Sequence, residues 1–256
     1  MILLVDIGNT RIKWARFDGR RLGRSRAAVH SRWRAGEYYH RLFGPGARIE
    51  EVVVSSVAGA RVNAALAAAA RRAQARLLRV RVGRRGAGVT VGYLEPWRLG
   101  VDRFVAAVGA HHLFKGVPVM VVGAGTAMTL DLLDARGRHR GGAIVPSPSL
   151  MIDTLFARTH GIRRRSQGGR AGGAGLFARS TRAAVIEGAR YAAAALVDRA
   201  VEEARVLLRR RPLVVLTGGG APVVRGLLRS HCLTVPDLVL KGLAQLSQSR
   251  ALKVRR

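Results

Sequence analysis

Carboxylates are scarce in this chain of 256 residues, so the few that lie in glycine-bearing turns stand out. Fifteen acidic side chains face 45 basic ones, a formal net charge of +30. Two of the aspartates sit where small residues leave the backbone approachable. Asp6 opens Asp6-Ile7-Gly8-Asn9-Thr10, followed by Arg11-Ile12-Lys13, and Asp102 sits in Gly100-Val101-Asp102-Arg103. An aspartate offers oxygen to a hard cation, and N–H groups of a turn can approach a phosphate only where side chains are small. Two further turns, Gly125-Thr126-Ala127 and Thr217-Gly218-Gly219, also follow apolar strands. Each alone reads as an ordinary turn. The three in series suit a nucleotide held between two domains, two turns gripping phosphates and the third packing under the base or ribose.

Competing readings exist for the other candidates. Asp102-Arg103 also reads as an ion pair at the start of a helix over 100–114, where the dipole favours an acid in the first turn. Tyr93 also reads as a core aromatic with a wet hydroxyl. His111 and His112 lie about 100° apart on that helix, a poor metal pair, and read as packing or surface residues. Cys232 is the single cysteine, which excludes an internal disulfide framework and reads as an inert, partly buried thiol.

Composition narrows the class. Apolar residues make up 48% and aromatics 5%, so the core is built mostly from Ala, Val and Leu, and a wholly disordered chain is excluded. All but four of the basic residues are arginine. They are scattered through helices, turns and tail, which reads as a solvated surface with nucleic acid only as a non-specific partner. The longest apolar stretch, 117–133, is broken by Gly123, Gly125, Thr126, Thr129 and Asp131, so a membrane-spanning helix is excluded. Residues 1–6 have no basic region before the apolar run, unlike a signal peptide; a reducing cytoplasm fits.

The elements that must position these residues alternate. Strands are expected over 2–6 and 12–17, the second ending in an Asp18-Gly19 hairpin-type turn, and over 51–57, with Val52, Val53 and Val54. An alanine-rich helix over 61–77 leads to a strand over 78–82. Strands over 117–122 and 128–133 flank the Gly125-Thr126-Ala127 turn. Glycine-rich 161–175 reads as a mobile loop. Residues 182–208 form a long helix with Ile186, Ala189, Ala193, Leu196, Ala200, Ala204 and Leu207 on one face. A buried-type strand over 213–216 runs into the third turn and a short helix over 222–228, and the basic tail 250–256 reads as frayed. This is an α/β pattern. Laid over the N-terminus, Val5-Asp6-Ile7-Gly8-Asn9-Thr10 matches Val122-Gly123-Ala124-Gly125-Thr126-Ala127. The chain reads as two copies of one strand–turn–strand device in two related domains, 1–115 and 116–256.

This arrangement resembles the actin, hexokinase and sugar-kinase superfamily and, within it, closely resembles the type III pantothenate kinases. The resemblance covers nearly the whole chain. It rests on the turn from Asp6 to Lys13, on Gly92-Tyr93-Leu94-Glu95-Pro96, Leu99-Gly100-Val101-Asp102-Arg103 and Gly125-Thr126-Ala127. It continues through Gly141-Gly142-Ala143-Ile144-Val145-Pro146, Ser180-Thr181, Thr217-Gly218-Gly219 and Lys241-Gly242-Leu243. The Gly-x-Asp-Arg element with its upstream Tyr is the specific part, since the glycine turns belong to the wider superfamily.

The resemblance implies two duplicated ribonuclease-H-like α/β domains with a nucleotide cleft between them, a homodimer, and ATP-dependent phosphorylation of pantothenate. It makes Asp6 the Mg²⁺ ligand, directly or through water. Ile7, Gly8, Asn9, Thr10, Arg11, Ile12 and Lys13, with Thr126, would bind ATP. It makes Asp102 the general base, and Tyr93, Gly100, Val101, Asp102, Arg103 and Thr181 the pantothenate pocket. Such chemistry needs positioning and charge neutralisation more than covalent help, and the planar fork of Arg103 suits a carboxylate.

The sequence departs from that family at three places. Gly123 stands where relatives carry an aspartate implicated in binding potassium or ammonium, Met128 where they carry Thr, and Ser147 where a Gly commonly follows Pro146. Without the carboxylate, either the enzyme works without the ion, another ligand substitutes, or activity is reduced. Two rivals follow. One is a non-catalytic accessory protein of the same fold, of the kind called Bvg accessory factor. The other is nucleic-acid binding through Arg163-Arg164-Arg165 and the tail, which predicts steep loss of affinity with salt.

Overall fold

The first sheet grows from a run of residues with nowhere polar to go. β1 (Ile2–Ile7) carries Leu3, Leu4, Val5 and Ile7, all fully buried, the near-continuous apolar pattern of a strand covered on both faces. The computed structural model describes residues 1–44, 46, 48–168 and 175–249. In it, a three-residue turn joins β1 to β2 (Arg11–Phe17), and β3 (Arg26–Val29) and α1 (Ala35–Leu42) follow. β4 (Glu51–Ser56), α2 (Ala60–Arg72) and β5 (Arg76–Arg79) come next. The sheet order is β3-β2-β1-β4-β5. β1 runs antiparallel to β2, with Asp6 opposite Lys13, and parallel to β4, with Asp6 opposite Ser55.

Period-two alternation divides the faces of β1. Leu3, Val5 and Ile7 pack into one core with Tyr38, Leu42, Leu66 and Ala69 of α1 and α2. Leu4 and Asp6 point the other way. There, after the small hairpin of β6 (Arg85–Gly86) and β7 (Val89–Thr90), comes α3 (Val101–Leu113), which packs on β4.

The second sheet repeats the first. β8 (Val119–Ala124), β9 (Ala127–Leu133) and β10 (His139–Pro146) precede α4 (Pro148–Arg158), α5 (His160–Arg165) and α6 (Thr181–Leu208). β11 (Leu213–Thr217), α7 (Ala221–Arg225) and β12 (Cys232–Thr234) complete it in the order β10-β9-β8-β11-β12. Its core joins Met120, Val122, Met128 and Leu130 to Ala193, Val197 and Val201 of α6 and to Val214 and Leu216. Ser180 caps α6 by accepting from the Ala183 N–H, and Ser147 caps α4 by accepting from the Leu150 N–H, so the serine that departs from the family pattern works as an N-cap. This is the duplicated ribonuclease-H-like α/β fold.

α8 (Leu238–Gln248) then returns to the first sheet, packing on β1, β2, β4 and α3. A Cβ on Gly242 would lie 1.9 Å from the Val105 carbonyl oxygen, and one on Gly109 would lie 2.6 Å from that of Leu238. The two helices therefore touch backbone to backbone, which only glycine permits. Where the sequence reading places one cut between 115 and 116, the compact units are discontinuous. One is Met1–Val117 with Leu133–Gly141 and the segment from Asp237 on; the other is Pro118–Leu132 with Gly142–Pro236. The last of these segments joins the first unit through α8, whose apolar face is buried on the first sheet.

Two expected boundaries shift. The helix expected over 61–77 stops at Arg72 and a strand begins at Arg76, because Gln74 takes a left-handed backbone with φ of 53°. The stretch read as a loop over 161–175 contains α5 at its start, while 169–174 and the tail 250–256 lie outside the described residues. Among the described residues, no helix is long and apolar enough to cross a membrane.

Candidate active site

The turn after β1 is closed by the Gly8 N–H donating to the Arg11 carbonyl at 3.0 Å. Asn9, Thr10 and Arg11 are exposed, and Lys13 is half-buried. Ile7 and Ile12 are fully buried in the core. Of these two residues, only the backbone is left to face a ligand.

Asp6 lies on the α3 and α8 face of the sheet. Its pKa is pushed up from 3.8 to about 7, first by burial and next by the negative charge of Asp102. Lys13 and the Ser55 hydroxyl offset part of this, while Asp237 adds to it. Two carboxylates gathered against their own repulsion mark a place for positive charge. Ser55 Oγ is buried beside them and makes no hydrogen bond of ordinary geometry, an acceptor available to a hydrated cation. The donor set is all oxygen, as Mg²⁺ prefers. Among the described residues, no group of three or more His, Cys, Asp or Glu could hold a metal, so these residues fit an ion bound through one carboxylate, waters and phosphates rather than a closed protein cage.

Asp102 enters from the start of α3. Gly100 is the N-cap, and a Cβ there would lie 2.7 Å from Asp102 Oδ1. Val101 begins the helix and is half-buried. The Asp102 carboxylate accepts the Arg103 N–H at 2.9 Å, which holds it at the positive end of the helix dipole. Arg103 is buried, at 6% exposure, and its Nη1 donates to the Tyr93 hydroxyl at 2.9 Å. The Tyr93 ring stands 5.6 Å from the ring of His139. The tyrosine is therefore tied by its hydroxyl to the arginine that follows Asp102.

Sequence reasoning missed Asp237. Lys13 Nζ lies 3.3 Å from Asp237 Oδ1, and Ser25 Oγ donates to Asp237 Oδ2 at 2.6 Å. Partial burial pushes the Asp237 pKa up, but the Ser25 hydrogen bond and the charges of Lys13 and Lys241 outweigh it, leaving it below the ordinary value. The one signal available is an aspartate just before an apolar helical period, the pattern of an N-cap.

In the second unit, the Gly125 N–H donates to the Ala127 carbonyl at 3.1 Å, and Thr126 is exposed at the tip. Gly218, at φ of 95°, brings the third turn against β8: a Cβ there would lie 2.4 Å from the Ala124 carbonyl oxygen, which accepts the Gly220 N–H at 3.0 Å. Thr181 begins α6, after its cap, and lines an open groove of about 760 Å³ with Met151, Leu155, Ile162 and Val185. At Gly123, a Cβ would lie 2.8 Å from Thr129 Oγ1. The threonine hydroxyl thus occupies the space a longer side chain would need, and no carboxylate stands there. The position does not fit the monovalent-cation site implied by the resemblance.

The remaining candidates stay structural. His111 packs against Gly88 and Gly137, and burial, then the neighbouring His112, push its pKa down. Cys232 is half-buried in β12.

Comparison with known proteins follows this geometry. The family model for type III pantothenate kinase matches residues 2–203. A type III pantothenate kinase from Nitrosococcus oceani is 35% identical over 263 residues, covering 100% of this chain and 97% of its own. One from Stenotrophomonas maltophilia is 38% identical over 243 residues, covering 94% and 95%. Among solved structures, a ROK family glucokinase from Streptomyces griseus, in complex with glucose and AMPPNP, superposes with a TM-score of 0.53 at 12% identity, covering 96% of this chain and 98% of that one. At that identity the likeness speaks for the fold alone.

Proposed function

The chain belongs to the type III pantothenate kinase family, and on that premise we propose how its residues transfer the γ-phosphoryl group of ATP to the primary hydroxyl of pantothenate, the first step of coenzyme A synthesis. Asp102 accepts the hydroxyl proton as the oxygen attacks the γ-phosphorus. A new P–O bond forms, the bond to the β-phosphate oxygen breaks, and ADP leaves with its electron pair. Arg103 and Tyr93 hold the acceptor substrate, the guanidinium pairing with its carboxylate. Gly100 and Val101 shape that pocket, with Thr181 a further contact. Gly8, Asn9, Thr10 and Lys13 take the phosphates of ATP, and Thr126 is assigned to ATP as well.

Asp6 would hold Mg²⁺, which when bound neutralises phosphate charge. Gly123 supplies no side-chain ligand for potassium or ammonium, and on this reading turnover does not depend on that ion. The reading includes a second copy of the chain seated on the apolar groove beside Thr181; Leu155→Arg then yields a monomer by light scattering, and an unchanged mass would remove this part. A cytoplasmic place of work suits the ATP requirement.

The observation that carries the assignment is the pairing of Asp6 and Asp102 on one face of the first sheet, with Arg103 and Tyr93 adjoining. A non-catalytic accessory protein gives no reason for a buried Asp6, raised in pKa, beside Asp102 and a lysine. The test is formation of phosphopantothenate, followed by mass spectrometry, together with rescue of a strain lacking pantothenate kinase. ATP consumption that ignores pantothenate, with no rescue, would overturn it.

A further inference from the structure

We propose that Arg84 is a positioning residue for the acceptor-substrate pocket, acting through the backbone on both sides of Tyr93. The inference rests on the pantothenate-pocket reading of Tyr93 and Arg103 given above. It begins in the small hairpin, where Gly86 pairs with Val89 across Ala87 and Gly88, both at positive φ (45° and 83°). That is the two-residue turn whose twist matches paired strands. Just below it, the Val91 N–H donates to the Arg84 carbonyl at 2.9 Å, so register places Arg84 at the foot of the hairpin.

From there the guanidinium reaches along the next segment. Nη1 donates to the carbonyls of Val91 (3.2 Å) and Tyr93 (2.7 Å), and Nη2 donates to that of Leu94 (2.8 Å). Residues 91–94 lie outside any helix or strand, so three of their four carbonyls converge on one cation. The segment is fixed from its other side as well. A Cβ on Gly92 would lie 2.0 Å from the His139 carbonyl oxygen, and the His139 ring lies against Tyr93. Held at both ends, the Tyr93 side chain has little freedom except toward Arg103, whose Nη1 it receives at 2.9 Å. The chain of contact runs from Arg84 to the 91–94 backbone, to the Tyr93 hydroxyl, to Arg103, and so to the residue beside Asp102. An arginine suits this role because its planar fork sends donors to several acceptors at once; a lysine offers three donors from a single point.

Arg84 is exposed, and an exposed arginine on loop carbonyls could serve only to tack down a surface segment. The two roles separate in kinetics. Arg84→Gln is expected to raise the KM for pantothenate about tenfold, as misplacing a binding group by a fraction of an ångström does, and to leave the KM for ATP within about twofold. Arg84→Lys should recover part of the loss. The double variant with Tyr93→Phe should lose little more than the worse single variant, since both act through the same hydroxyl. Equal rises in both KM values, an unchanged pantothenate KM, or fully additive losses would overturn the proposal.

Amide hydrogen exchange supplies a readout that needs no turnover. Arg84→Gln should speed exchange across 92–95 while the amides of β1 and β4 keep their wild-type rates; protection that does not change there would also overturn the proposal. The expected exchange response in Arg84→Gln, together with wild-type protein that never phosphorylates pantothenate, would instead refute the substrate assignment, so the two failures are distinguishable.

Discussion

The two sheets are built to one plan and differ in what their first turns carry. β1 and β8 each lie third in a five-strand order with the same relation to their neighbours. Gly8 and Gly125 each donate to a carbonyl just across the turn. The carbonyl of Ile7 accepts the Val57 N–H, and that of Ala124, its counterpart, accepts the Gly220 N–H. At the position where the first strand presents Asp6, the second presents Gly123, with the Thr129 hydroxyl in the space above it. The scaffold therefore supplies the same glycine turn twice, while the aspartate stands in one copy. The copies also close differently: an ordinary Val57 suffices in the first, whereas the second needs glycine at 218, where a Cβ would lie 2.4 Å from the Ala124 carbonyl oxygen.

Removing the ionisable difference should have the largest effect. Asp6→Asn makes the first turn as uncharged as the second and should lower kcat/KM by at least about 100-fold, the scale of losing a charge-positioning group. The same variant should be more stable than wild type at pH 8 without nucleotide. The sign follows from linkage: the folded pKa of about 7 lies above the ordinary 3.8, so the folded state holds the proton more tightly. That group's contribution is full below pH 4, is lost as pH rises toward 7, and stays absent above. Its size is at most roughly 4 kcal/mol, less what residual solvent access removes. Thermal melts from pH 4 to pH 8 check this; identical pH profiles for the two proteins would contradict it. Protons and Mg²⁺ should compete for the same carboxylate, so the Mg²⁺ concentration for half-maximal rate should rise as pH falls from 8 to 6.

The glycine run of the second turn tests the other side of the comparison. Gly218→Ala places a Cβ 2.4 Å from the Ala124 carbonyl oxygen at a φ of 95°, and should cost about 2–3 kcal/mol in urea denaturation. Val57→Ala, at the matching closure of the first unit, should cost under about 1 kcal/mol, because its side chain is exposed and its hydrogen bond is made by the backbone.

Much of this was legible in the sequence because it is local. The Asp6 turn, the Gly100 to Arg103 element and the Thr217 turn each combine a strand or helix start with glycine, and each stands where the residues imply. What was hidden depends on distance along the chain. Asp237 meets Lys13 across 224 positions, and nothing periodic in the last helix says that it covers the first sheet. Gly242 looks like a weak point in that helix until the Val105 carbonyl is found against it. Arg84 was lost among so many arginines, since composition does not tell a solvated cation from one gathering three carbonyls. The early end of α2 went unmarked because Ala73, Gln74 and Ala75 continue helical preference past Arg72, while the stop is a left-handed Gln74, a conformation no residue type announces as glycine does.

A smaller effect is expected from the cation. With Gly123 and the Thr129 hydroxyl in place of a carboxylate, exchanging potassium for sodium at fixed ionic strength should change turnover by less than about twofold, since the charged ligand that would favour a bound cation is absent there. Severalfold activation by potassium would show that another ligand has taken over.

The central claim is that Asp102 takes the proton of the attacking alcohol. It is tested most directly by pantothenate-dependent ADP release from wild type and Asp102→Asn, with nucleotide affinity and melting temperature measured alongside. The account predicts a loss in kcat of about 10²–10⁴-fold, the range for a general base, with ATP binding and fold retained. An asparagine variant that turns over at the wild-type rate would contradict it.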